Sequence, residues 1–178
     1  MSKAIEFEKE NFWEKFVRYG YGFKKNTSLK KAVEYSVELF RLAEDSIWFV
    51  GGSLDAELWA NPEVIEALTA AKDRNVEIRI IFGPMLDPEN NAIRDFWRKY
   101  KDEYDDDDRV HLYKLGYRPQ SQFTVVDGKH VRVEEPHIPR QPRRAWVRHN
   151  TLMLARRLEL DFTALVSQAV EMTQEDQL

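Results

Sequence analysis

Gln120-Ser121-Gln122-Phe123-Thr124-Val125-Val126-Asp127-Gly128-Lys129-His130-Val131-Arg132-Val133-Glu134-Glu135-Pro136-His137 reads as a β-hairpin. Phe123, Val125, Val131 and Val133 alternate with polar neighbours, the period-two pattern of strands with one buried face. Asp127-Gly128 between them supplies the positive φ that a tight hairpin turn needs.

Three strands precede the hairpin. Arg109–Leu115 leads into it through Gly116-Tyr117-Arg118-Pro119. Ser46–Gly52 is short, continuously apolar and closed by glycines, the pattern of a buried parallel strand, and Val76–Pro84 reads as a second strand. A helix from Asn61-Pro62-Glu63, with Val64, Ile65, Leu68 and Ala71 inward, joins those two into a right-handed βαβ unit. Another, from Asp87 to about Tyr104, aligns Ile93, Phe96, Trp97 and Tyr100 on one face.

Two helices are expected nearer the start. One, over 5–19, carries Ile5, Phe7, Phe12, Trp13, Phe16 and Val17 and reads as core or as a dimer contact. The other, over 29–43, takes its cap from Asn26-Thr27-Ser28. Beyond the hairpin, Pro136, Pro139 and Pro142 make 135–144 a loop, and a final helix is expected over 150–172. The chain is thus read as one domain, 1–178, with a helical extension at 1–28 and an Arg-rich loop at 135–149.

Composition narrows the function classes. There are 178 residues and no Cys, so thiolate metal sites and cysteine nucleophiles drop out. No apolar run reaches the roughly 18 residues of a membrane span, and the start lacks a signal-peptide apolar segment; a cytoplasmic location is the default. Residues 51–110 carry 8 basic against 15 acidic side chains, whereas 111–160 carry 10 against 4. One part of an acidic chain can therefore attract phosphate. Arg140, Arg143, Arg144 and Arg148, interleaved with Trp146 and His149, have the make-up that contacts phosphates and stacks on bases. The bland alternative pairs these arginines with the acidic half of the same chain or of a partner.

Other candidates read structurally. Asp105-Asp106-Asp107-Asp108 lacks the spacing, Gly turn and terminal Glu of a hard-cation loop. Asp55 and Glu57 follow the first strand, where open α/β sheets bind ligands, but their charge repels phosphate and they read as helix caps. His111, His130 and His149 read as strand or surface residues.

The hairpin also resembles the signature of the phospholipase D superfamily: a His, a Lys two residues on and an Asp five beyond the Lys, then a Gly-Ser and an Asn. Asp127, preceded by Phe123-Thr124-Val125-Val126, fits that frame. Gln120 and Gln122 stand at the His and Lys positions, Glu134-Glu135 at the Gly-Ser pair and His137 at the Asn. The resemblance covers roughly 35–170 and implies an α/β/α sandwich with a mixed, mainly parallel sheet; a two-layer or flavodoxin-like α/β protein is the alternative.

In that superfamily two such motifs meet across a twofold axis. One His attacks phosphorus, the other protonates the leaving group and the lysines hold the phosphate oxygens, so a single-domain member completes its site as a homodimer. Gln is neutral, and is neither a nucleophile nor a usable base. With these replacements the resemblance implies a non-catalytic homodimer that binds nucleic acid, another phosphate-bearing ligand or a regulatory protein, without cofactor or metal. Two alternatives stand beside it. One is an active phosphodiesterase or nuclease with a departed site around Gln120, Gln122, Glu134, Glu135 and His137; the other is a protein–protein assembly module.

Overall fold

The computed structural model describes residues 24–26, 28–52, 54–84, 91–102, 109–134 and 145–173. The helix expected over 5–19, the Asp105–Asp108 run and the proline-rich 135–144 lie outside them.

The elements in chain order are β1 (Lys24–Asn26), α1 (Leu29–Leu42), β2 (Ser46–Val50), α2 (Ala56–Trp59) and α3 (Pro62–Asp73). There follow β3 (Glu77–Phe82), α4 (Asn91–Asp102), β4 (Val110–Lys114), β5 (Gln122–Val126) and β6 (His130–Glu134). The chain closes with β7 (Ala145–Arg148), α5 (Leu152–Val166) and β8 (Val170–Glu171). The helix starts follow from local chemistry. Ser28 is extended and accepts the Lys31 N–H at 3.3 Å, Asn61 accepts the Glu63 N–H at 3.0 Å, and Pro62 opens α3 where its missing N–H costs nothing.

All eight strands form one sheet, in the order β1-β7-β6-β5-β2-β3-β4-β8. Among the described strands only β2–β3 and β3–β4 pair in parallel. The mixed α/β sandwich is as expected, but the sheet is mostly antiparallel rather than mainly parallel. The reason is connectivity: helical crossovers join neighbouring strands only at β2–β3 and β3–β4, while the hairpin and β7 extend the sheet on one side by antiparallel pairing.

Alternation along the strands separates two cores. Ile47, Phe49, Ile78, Ile80, Phe82, Val110 and Leu112 face the helices α1 to α4. Val50, Ile81, Phe123, Val125, Val131 and Val133 face α5, whose Leu154, Ala155, Leu158 and Phe162 are buried against them. The apolar run of β2 thus reflects helices on both faces.

Two boundaries differ from expectation. Residues 145–148 are a strand, not the end of a loop, because Ala145 and Val147 alternate with Trp146 and Arg148 and pair with β6. The last helix stops at Val166, and Val170–Glu171 turns back to pair with β4, where Met172 N–H donates to Leu112 at 2.8 Å. The four-residue spacing of Val166 and Val170 imitates a helix face there.

Candidate functional site

The hairpin turn holds its position through one side chain. Asp127 and Gly128 have φ of 50° and 61°, the signs of a type I′ turn, and Lys129 N–H donates to Val126 at 3.0 Å. The Asp127 carboxylate, almost wholly buried, accepts the backbone N–H groups of Asp45 and Ser46 at 2.9 Å and of Glu44 at 3.1 Å. Burial pushes this carboxyl up, but those N–H groups and Lys129 outweigh it and hold it below the ordinary 3.8. Asp127 therefore bolts the hairpin to the α1–β2 turn.

At the other end of the hairpin, Gln122 and Glu134 stand opposite each other on β5 and β6. They alternate with Phe123 and Val133, which face α5, so they belong to the opposite face of the sheet. There they line a cleft with Leu54, Asp55, Leu58, Trp59 and Arg118, beyond the C-terminal end of β2. Gly52 leaves room beside two of these side chains. A Cβ on Gly52 would lie 3.1 Å from the Arg118 Nε and 3.3 Å from the Gln122 Nε2. Trp59 is seated by stacking on Phe49, with ring centroids 4.4 Å apart. Among the described residues the cleft encloses about 20 Å³, space on the scale of one water molecule.

Its two carboxylates are both engaged. Glu134 is bonded at 2.6 Å to Arg132, buried two residues back on β6, and Asp55 caps α2 by accepting the Glu57 N–H at 3.0 Å. The lining holds one guanidinium, Arg118, two carboxylates and a neutral amide at Gln122. Neither an ionisable nitrogen nucleophile nor a second cation is among these residues. Arg118 was not singled out in the sequence; its place in the connection before β5 was the available signal.

The remaining sequence candidates fall elsewhere. Gln120 is exposed and is not among the residues lining the cleft. Glu135, His137, Arg140, Arg143 and Arg144 lie outside the described residues. Trp146 and Arg148 alternate with the buried Val147 on β7, next to the edge strand β1, and Lys25 sits 5.4 Å over the Trp146 ring. His149 is at the opposite end of the hairpin from the cleft, 3.1 Å from His130. Lys25 was not foreseen, because nothing local marks a three-residue edge strand. Among the described residues no group of three or more side chains suited to a metal ion occurs, and no helix is long and apolar enough to cross a membrane.

No family model and no curated protein matches the chain. Solved structures do. Nuc from Salmonella typhimurium, a phospholipase D family member, matches with a TM-score of 0.62 and 17% identity, covering 86% of this chain and 96% of that one. TrmBL2, an archaeal chromatin protein whose structure shows a novel mode of DNA binding, matches with a TM-score of 0.65 and 14% identity, covering 96% of this chain and 63% of its own. NucT from Helicobacter pylori gives a TM-score of 0.55 and 14% identity, with 84% of this chain and 99% of that one covered. The sheet, its helices and the hairpin are those of a phospholipase D-like fold.

Proposed function

We propose that this chain is a catalytically degenerate phospholipase D-like domain that binds nucleic acid as a homodimer. The observation that carries the loss of catalysis is Gln122 in the cleft wall, opposite Glu134. A phosphodiester there would meet one guanidinium and two carboxylates, where the reaction needs a nucleophile and cationic clamps. An amide can position an oxygen but cannot attack phosphorus.

Binding is assigned to the β1–β7 side. Lys25, Trp146 and Arg148 occupy adjacent positions on two paired strands, and Arg143 and Arg144 immediately precede β7 in the chain. Cations around an aromatic ring form a surface that tracks a phosphate backbone and stacks on bases. The likeness to a DNA-binding chromatin protein and to Nuc supports this reading.

Fluorescence anisotropy with labelled single-stranded and duplex oligonucleotides tests it. Binding that falls steeply with salt and weakens on Trp146→Ala, more for the single strand than for the duplex, is expected. Absence of binding at low salt overturns it. A second reading, a protein assembly module, is favoured by Leu152, Met153 and Leu160, which are 70%, 86% and 62% exposed on α5. It predicts unchanged oligonucleotide behaviour and a change of assembly state on Leu160→Glu.

A further inference from the structure

At the turn end of the hairpin, away from the cleft, two imidazoles meet. His130, at the start of β6, is 7% exposed, and His149 follows β7 directly. Their Nδ1 atoms are 3.1 Å apart, and the rings stand edge to face with centroids 5.1 Å apart. The far nitrogen of His149, Nε2, is 3.4 Å from the Glu38 Oε1 on α1, and the same oxygen is 3.4 Å from the Lys24 Nζ on β1. Four side chains thus connect β6, the end of β7, α1 and β1.

We propose that His130 and His149 form a proton-operated latch that ties the β1–β7 edge of the sheet to α1 and opens when both rings become positively charged. The chemistry lies in the Nδ1–Nδ1 contact. One ring must donate and the other accept, so the contact holds with a single proton between the two nitrogens. A proton on each Nδ1 sets two N–H groups and two positive rings against each other.

The charged surroundings bear on the same step. Lys129 and Asp127 lie in the adjoining turn, Arg132 is two residues along β6, and Glu38 on α1 carries Lys24 with it. Burial, then His149 and Lys129, hold the His130 ring below the ordinary 6.5, against the pull of Asp127 and Glu38. A His lowered in the fold binds its proton more readily when unfolded. Stability linked to it is therefore intact above about pH 6.5 and is lost as pH falls toward the folded value. The edge strand β1 feels this first, because it pairs with β7 alone and Lys24 is one end of the four-residue chain.

Amide hydrogen exchange at pH 7.5 and pH 5.2, corrected for intrinsic rates, tests the latch on the full chain. Protection of β1 and β7 should fall at least about 10-fold relative to that of β2 and β3 at the lower pH. His149→Gln keeps a neutral partner for His130 and removes one titrating ring, so its relative loss should shrink below about 2-fold. His130→Gln, read in the same way, serves if the first variant does not fold. Imidazole NMR should show the pair titrating in two coupled steps. Uniform loss across the sheet, independent titration of the two rings, or an undiminished effect in the folded variant overturns the latch.

Discussion

Asp127, which the sequence marks as a turn residue, also serves in three dimensions as an anchor. Its carboxylate spans from the hairpin to three consecutive backbone N–H groups of the α1–β2 turn. Asp127→Ala leaves them without their acceptor and should cost about 3 kcal/mol, since single bonds to charged groups are worth about 1.5–3. Asp127→Asn tolerates the positive φ and keeps one acceptor oxygen, so it should cost less. The pH sign follows from a carboxyl held below 3.8: its contribution is present above that value and is lost as pH falls through the folded one. Urea midpoints at pH 7 and pH 3 should therefore drop further for wild type than for Asp127→Asn. An equal drop would show that the carboxylate is not the titrating anchor. At the cleft, wild type should leave bis-p-nitrophenyl phosphate intact in EDTA. EDTA-resistant turnover abolished by Gln122→Ala would overturn the degenerate reading.

At the scale of elements, α5 is the helix whose buried Leu154, Ala155, Leu158 and Phe162 form the second core with the hairpin. Phe162 is fully buried and lies 5.1 Å, centroid to centroid, from Trp48. Phe162→Ala should destabilise the domain by about 3–5 kcal/mol through lost burial and the cavity left behind. Ser28→Ala removes only the side-chain cap of α1 and should cost about 1 kcal/mol. Thermal or urea denaturation separates the two; a Phe162→Ala loss no larger than that of Ser28→Ala would mean that α5 contributes little to the hairpin's position. Of the helices facing the other side, α1, α3 and α4 were legible from periodicity because each has one apolar face, whereas the four residues of α2 were too few. The edge strands were not, since β1 and β8 have three and two residues, too few for a period to register.

For the whole molecule, the proposed interface and assembly make quantitative demands. Arg143→Ala with Arg144→Ala should lower affinity for all sequences alike and flatten the duplex salt slope by roughly two phosphates' worth, at about −0.9 per phosphate. If instead melting temperature falls and binding is untouched, these arginines hold the acidic half of the chain. Sedimentation should report a dimer at micromolar concentration; a monomer would remove the shared-site argument.

The sequence by itself determined the strand–helix–strand core and the hairpin turn, because period, caps and Asp-Gly act within a few residues. Only the tertiary structure decided that Gln122 and Glu134 share a cleft with Arg118, that Asp127 serves the α1–β2 turn, and that His130 meets His149. Those contacts join residues distant in the chain, and pairing register and sheet order bring them together; neither is expressed in local periodicity. The mostly antiparallel sheet was hidden for the same reason. A strand's apolar pattern reports which of its faces are buried, whereas the direction of its neighbours is set by how the connections run.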